Sequence, residues 1–209
     1  MAPGIRNHVL RVPKPAPVRV VALRMARLPL VSKNSEDPVL KAIFERINAR
    51  DIDVPNLYLT IANAPLMLQA WIGLTWPLRH EGVSPRSLRE LVIMRVAQAE
   101  KATYVWAHHW DMAISAGISA EQLESLADWR AAGLFDETQA ATLAYAEEVI
   151  GNAGVKDATF TNIRNLFSEA EIVELTLAAT FYLNLAHFAR ALWIEPEPKY
   201  ADHARRLPA

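Results

Sequence analysis

Two acid–base side chains stand inside apolar stretches of the sequence. Glu90 interrupts the apolar run 88–94, and His109 follows the mixed aromatic segment 104–108. A buried carboxylate needs a partner that offers hydrogen bonds or positive charge. A carboxylate bonded to one imidazole nitrogen fixes the tautomer and leaves the other nitrogen free to move protons. If the two segments are antiparallel helices joined by a tight turn, the pattern predicts a Glu90–His109 acid–base pair.

Two adjacent histidines compete for this role. Neighbouring residues on a helix do not face the same way, so at most one of His108 and His109 is expected to be catalytic. His109 shares its face with apolar residues and is predicted to be the catalytic imidazole. His108, Tyr104 and Trp106 are predicted to bind substrate. The carboxylate raises the pKa of an imidazole and a helix N-terminus lowers it, so His109 is expected to titrate near neutrality.

Other kinds of site fit the sequence less well. A metal centre would need a third ligand from His80, His187 or Glu174, and no His-Glu-x-x-His pattern exists, so neither metal nor coenzyme is expected. The sequence has no phosphate-binding glycine loop and no Gly-x-Ser-x-Gly elbow. A purely structural Glu90–His109 pair, formed for packing alone, remains an alternative.

Composition sets further limits. The 209 residues are 52% apolar and include no cysteine, which excludes thiolate, disulfide and thiol–zinc chemistry. The net charge of −1 gives no electrostatic case for nucleic acid. We expect a cytoplasmic protein without a membrane span, because there is neither an apolar signal core nor an unbroken apolar run of about 18 residues.

Residues typical of helix starts and ends are frequent from Ser35 onward. No segment alternates polar and apolar residues with period two. Capping boxes are predicted at Ser119 with Gln122, Asp136 with Gln139, and Ser168 with Glu171. Further helices are predicted over 37–48, from Pro65, from Ser84-Pro85 to about Lys101, and from Thr103 to Gly117. The fold class is therefore all-α. Two helices, around 88–97 and 175–188, are apolar over most of their circumference, which predicts a homo-oligomer.

The chain is predicted to have three parts. Residues 1–34 hold seven Lys/Arg and no acid, with five prolines, and are expected to form an extended arm; a targeting peptide is the weaker alternative. Residues 35–200 are the helical domain, and residues 201–209 are a tail.

The sequence resembles the carboxymuconolactone decarboxylase family, within the alkylhydroperoxidase-like superfamily. The resemblance covers roughly residues 37–197. It rests on segments that share the spacing of the family motif: 55–58, 65–78 with Trp71, 89–96, 104–109 and 116–119. It implies an alkylhydroperoxidase-like helical fold that assembles as trimers or hexamers, although a dimer would also satisfy the apolar surface. The peroxidase branch uses Glu, Cys-x-x-Cys and His. Here Glu90 and His109 keep the acid and the imidazole, while Ala102 and Val105 occupy the cysteine positions, which excludes that route to peroxide reduction.

The resemblance implies a cofactor-independent carboxy-lyase of aromatic catabolism that acts on a small carboxylated lactone or related carbonyl acid. His109, tuned by Glu90, would protonate carbon, and Arg95 or Arg190 would hold a substrate carboxylate. Two alternatives remain open. One is an isomerase, dehydratase or hydratase that uses the same site, and the other is a non-catalytic helical oligomer that binds a ligand or partner.

Overall fold

The computed structural model describes residues 26–151 and 153–208, and the regular elements in these ranges are all helical. The α-helices are α1 (Pro38–Asn48), α2 (Asn56–Ile61), α3 (Pro65–His80), α4 (Arg86–Ala99), α5 (Thr103–Ser115), α6 (Ala120–Glu124), α7 (Trp129–Ala132), α8 (Glu137–Ile150), α9 (Asp157–Leu166), α10 (Glu169–Leu192) and α11 (Ala201–Arg205). Short 3₁₀ turns lie at Leu126–Asp128 and Pro198–Tyr200. The prediction of an all-α fold is confirmed.

The helix starts follow from local sequence. All three predicted capping boxes form, at Ser119, Asp136 and Ser168, so each N-cap residue bonds the third residue of its helix and is bonded in return. Asp37 caps α1 by accepting from two backbone N–H groups. The helices predicted from Ser84-Pro85 and from Thr103 also form, but Pro85 and Ala102 stand at their N-cap positions and neither provides a side-chain cap.

The core is built around α4. This helix packs against α5, α8 and α10, and Leu91, Val92 and Met94 are completely buried. Arg89, Glu90 and Gln98 are buried on the same helix. Because α4 is covered on several sides, each of these polar groups must find its partner inside the protein.

The longest helix, α10, packs against α4, α5, α8 and α9. Among the described residues it is the one helix whose length and mean hydropathy would allow it to cross a membrane. Leu175, Ala178 and Ala179 are fully buried inside the protein. Those contacts are the ones expected of a core helix, which can be as long and as apolar as a membrane-spanning helix.

Most of the predicted arm, residues 1–34, lies outside the described residues. Residues 201–205, predicted to belong to a tail, form α11 and pack against α5. The C-terminal end of the chain therefore lies on the same helix that carries His108 and His109.

Candidate active site

Glu90 and His109 meet between α4 and α5. The Oε2 of Glu90 lies 2.8 Å from Nδ1 of His109, and the two residues are only 3% and 5% exposed. The Lys101–Ala102 turn lets α5 fold back on α4, and Lys101 adopts a positive φ of 51° there. The predicted contact is therefore formed, by antiparallel helices joined through a tight connection.

Burial and the neighbouring charges set the protonation of this pair. Burial raises the pKa of Glu90. The charge of His109, its hydrogen bond to Glu90, and the charges of Arg79 and Arg86 together outweigh burial and hold this pKa below its ordinary value. Burial lowers the pKa of His109, and the opposing effect of Glu90 does not restore it. At neutral pH the pair is thus a carboxylate and a neutral imidazole that donates its Nδ1 proton to Glu90.

A cavity of about 440 Å³, partly open to solvent, adjoins His109. Its wall comes mainly from α2, α3, α5 and α10, with further residues from α1, α4, the loop after α1 and the C-terminal 3₁₀ turn. Most of the wall is apolar or aromatic. The ring of Tyr182 contacts that of His109 edge-on, with centroids 4.8 Å apart. Burial raises the pKa of Tyr182, so its phenol keeps its proton. In the described part of the chain, Nε2 of His109 has no hydrogen-bond partner, and the residue lines the cavity.

Two arginines line the cavity: Arg86, whose Nε lies 3.7 Å from Oε1 of Glu90, and Arg79. The Nη2 of Arg79 lies 3.1 Å from Sδ of Met112, a weak acceptor, and no carboxylate within the described ranges forms an ion pair with Arg79. Burial lowers the pKa of Arg79, but Tyr182, Tyr58 and Glu90 more than offset this, so the group stays charged. A guanidinium in an apolar cavity without a carboxylate partner is suited to bind an anion.

Tyr104 and His108, both predicted to bind substrate, do line the cavity. Their rings stack 4.1 Å apart. Nδ1 of His108 donates to the backbone oxygen of Tyr104, and its Nε2 lies 2.6 Å from Oε2 of Glu197. The two adjacent histidines therefore border one cavity, although their rings point in different directions along α5.

The other three predicted binding residues lie elsewhere. Trp106 is completely buried in the core. Arg95 bonds Oε1 of Glu147 from Nε and Nη2, and Arg190 bonds Glu100 at the surface. Neither arginine lines the cavity. The structure thus places Arg79 and Arg86, rather than Arg95 or Arg190, in the wall of the cavity.

Several residues that line the cavity were not predicted from the sequence. Arg79, Tyr58, Tyr182 and Tyr200 come from three helices and a turn distant in the chain, and no spacing rule joins them. Pro77 lies inside α3 two residues before Arg79. A charged residue in the last turn of a proline-interrupted apolar helix is the one local signal that could have indicated Arg79.

Across residues 26–151 and 153–208, no group of three or more His, Asp or Glu side chains is placed to hold an ion. His80 lines the cavity, whereas His187 and Glu174 bond Glu100 and Ser84 respectively.

Fold and site together define an all-helical protein with a carboxylate–imidazole pair beside an apolar cavity. The model of the carboxymuconolactone decarboxylase family matches residues 65–148, which include α3, α4 and α5 and both members of the pair. This segment is similar to that family, and it lacks the Cys-x-x-Cys pair because the chain has no cysteine. A comparison with curated proteins gave no significant match.

Solved structures share the fold over most of the chain. A peroxidase-related protein with an alkylhydroperoxidase AhpD core, from Ralstonia eutropha JMP134, has a TM-score of 0.74 at 19% identity, and the match covers 89% of this chain and 99% of that one. A peroxidase-related protein from Silicibacter sp. TM1040 has a TM-score of 0.72 at 20% identity, with 84% and 93% covered. The debrominase Bmp8, in complex with 2,3,4-tribromopyrrole, has a TM-score of 0.69 at 17% identity, with 88% and 100% covered.

Proposed function

We propose that the protein is a cofactor-independent lyase that removes a carboxyl group from a small lactone or related carbonyl acid. The observation that carries this proposal is the meeting of two groups in one cavity: His109, oriented by Glu90, and Arg79, which forms no ion pair with a carboxylate of the described residues. The first is suited to proton transfer and the second to holding an acid.

The cavity supports a small unsaturated substrate. Trp71 and Phe181 form part of its wall with ring centroids 4.6 Å apart, and Tyr58, Tyr104 and Tyr182 add further ring surface. A volume of about 440 Å³ lies in the lower part of the range for small-molecule sites. A protein of the same fold, the debrominase Bmp8, has been solved with a small bromopyrrole, which agrees with a planar ring as ligand.

In the proposed reaction, binding of the negatively charged substrate causes His109 to become protonated. The free imidazole is neutral, because burial and Arg79 lower its pKa. A substrate carboxylate beside it adds negative charge in a medium of low polarity, which raises that pKa and draws a proton onto Nε2. The anion and the proton are therefore expected to bind together.

The bond changes balance without a coenzyme. The bond between the ring carbon and the carboxylate breaks, CO2 leaves, and the electron pair is delocalised into the conjugated carbonyl as a dienolate. The His109 imidazolium then donates its Nε2 proton to carbon and returns to the neutral form. Glu90 stays ionised throughout and stabilises the imidazolium through Nδ1.

The test uses a panel of unsaturated γ-lactones, with and without a carboxyl group on the ring, with CO2 release measured for each. We expect turnover with the carboxylated members and none with the others. His109→Ala should lower kcat by roughly 10²- to 10⁴-fold, the usual contribution of a general acid–base. Glu90→Gln should lower it less, because Gln can still accept the Nδ1 proton but carries no charge.

His108→Ala is the matched control, since it removes the adjacent imidazole from the same helix. We expect a smaller loss of kcat than for His109→Ala, because both ring nitrogens of His108 already face protein acceptors. Full activity in a well-folded His109→Ala protein would end the catalytic assignment.

One observation favours a second candidate, an isomerase on the same site. A neutral His109 is a base before it is an acid, so it can take a proton from one carbon and return it to another with no net change in protons. Incubation of the same panel in D2O separates the two reactions. Deuterium uptake into an isomerised lactone without CO2 release would favour the isomerase.

A further inference from the structure

The segment of residues 195–208, here called the C-terminal strap, follows α10 and lies outside the residues matched to the family. None of its residues is buried. It nevertheless contributes Tyr200 to the wall of the cavity. Part of the wall is therefore made by a segment that lies on the protein surface rather than by the packed helical core.

Glu197 joins this strap to two helices that border the cavity. Its Oε1 accepts a hydrogen bond of 2.6 Å from the backbone N–H of Asn56 at the start of α2, and its Oε2 lies 2.6 Å from Nε2 of His108 on α5. Burial raises the pKa of Glu197, but His108 and the Asn56 N–H hold it below the ordinary value, so the group is a carboxylate.

Contacts between aromatic rings connect the strap to the wall of the cavity. The ring of Tyr200 lies 4.3 Å from that of His108, which in turn stacks on Tyr104 at 4.1 Å. All three rings line the cavity. His108 is thus the residue of α5 that both Glu197 and Tyr200 contact.

The remaining attachments of the strap combine polar contacts at the surface with ring and apolar contacts: His203 and Arg206 lie against the ring of Trp110 on α5, and Leu207 packs against the core. His203 lies 3.4 Å from Asp111, Arg206 lies 3.3 Å from Glu124, and the Pro208 carbonyl accepts from Lys101. Exposed ion pairs of this kind contribute little to stability in water. Segments with few buried contacts are the ones that open locally while the rest of a protein stays folded.

We propose that the C-terminal strap is a separately opening wall of the cavity, with Glu197 as the positioning residue that fastens it and Tyr200 as the side chain that seals it. This assignment depends on the proposed site but not on the reaction. It gives His108 a positioning role through Glu197, which is distinct from the proton transfer assigned to His109.

The test measures access to His109 rather than turnover. Diethyl pyrocarbonate acylates neutral imidazoles that it can reach, and tandem mass spectrometry distinguishes the modified histidines. His187, whose side chain is 63% exposed, serves as the internal reference for reagent activity. The full-length protein is used throughout, and circular dichroism is recorded on every sample.

We expect Glu197→Gln and Tyr200→Ala to raise the rate of His109 modification roughly tenfold relative to His187, because both favour the open strap. Glu195→Gln is the matched control: it removes the same charge two residues away, from an exposed side chain without a described contact. Tyr200→Phe keeps the ring and should also retain the slow wild-type rate.

Equal rates for His109 in the wild type and in a folded Tyr200→Ala protein would overturn the proposal, even if Glu197→Gln failed to fold. So would a Glu195→Gln protein as reactive as Glu197→Gln. Failure of the proposed function leaves a different signature. In that case the lactone panel gives no turnover, while the modification rates still follow the pattern expected for the strap.

Discussion

At the scale of single residues, burial of the Glu90–His109 pair makes folding depend on pH. The pKa of His109 lies below its ordinary value of 6.5, so the unfolded chain binds the proton more readily than the native protein does. The stability contributed by the neutral imidazole is therefore fully present above pH 6.5 and is lost as the pH falls toward the native pKa. Glu90, whose pKa is also lowered, adds a second loss below its ordinary value of 4.5.

His109→Asn tests this dependence, because the Asn amide can still donate to Glu90 but does not titrate. The wild-type free energy of unfolding should fall between pH 7 and 5 with a slope of at most about 1.4 kcal/mol per pH unit from this one proton. The variant should show a shallower slope over the same range. Urea unfolding at a series of pH values measures both. Parallel curves would show that His109 titrates alike in the folded and unfolded chains.

Arg79 is predicted to contribute to binding rather than to stability. Arg79→Met should raise KM for a carboxylated substrate by roughly 10- to 100-fold, the effect of losing one charge-assisted hydrogen bond. Its melting temperature should stay equal or rise, because the variant no longer buries a charge without a carboxylate partner. Arg190→Met is the control, since Arg190 pairs with Glu100 at the surface. A destabilised Arg79→Met protein with unchanged KM would contradict this assignment.

The sequence identified the acid–base pair but not its protonation state. Glu90 and His109 stood out because polar residues are rare in such apolar helices, and their contact followed from the turn between α4 and α5. The expected titration near neutrality weighed Glu90 against the helix N-terminus. Burial, Arg79 and His108 also lower the pKa of His109, and these neighbours are set by tertiary packing that no local spacing shows.

At the scale of elements, the Arg95–Glu147 contact joins α4 to α8. Glu147 accepts from Arg95, Arg130 and Trp129, and although burial raises its pKa, these hydrogen bonds hold it below the ordinary value. Arg95 also bonds Gln98 on its own helix. Its place in an apolar helix is thus explained by packing between helices.

Arg95→Met should accordingly lower the free energy of unfolding by about 1–3 kcal/mol, because Glu147 and Gln98 lose a buried donor. KM should not change, which is the opposite of the result expected for Arg79→Met. Arg130→Met is the matched control on the same carboxylate. Its side chain is 61% exposed, and the loss should stay below about 1 kcal/mol. Equal losses in the two variants would show that burial of Arg95 is unimportant.

Helix starts were predictable to the extent that they depend on local chemistry. Ser119, Asp136 and Ser168 each satisfy two backbone groups within four residues, so their capping boxes were visible in the sequence. The start of α9 was not predicted, because Lys156 stands at its N-cap without a side-chain bond. Helices that begin without a local cap are defined by packing instead.

At the scale of the whole molecule, the cavity and its strap could not be predicted. Helix α3, helix α10 and Tyr200 reach the same space only after the chain folds back on α5, so their meeting depends on long-range packing. The all-α class was predictable because helical caps and the absence of period-two alternation agree along the chain.

The apolar surface that remains on the folded chain supports the prediction of a homo-oligomer. Leu66, Met67 and Leu74 on α3 are 64%, 60% and 43% exposed, and Leu177 on the neighbouring helix α10 is 38% exposed. Large apolar side chains on adjacent helices favour association with another copy, because burial removes that surface from water. Sedimentation at micromolar concentration should show a dimer, trimer or hexamer of the 23.3 kDa chain.

Met67→Glu should shift this equilibrium toward the monomer, since a charge would have to be buried in each interface. Phe160→Glu on α9 is the matched control: Phe160 is 41% exposed but lies away from α3, and the same charge should leave the assembly unchanged. A wild-type protein that sediments as a monomer at these concentrations would refute the prediction. If both variants dissociate equally, the interface is not confined to α3 and α10, and α9 contributes to it as well.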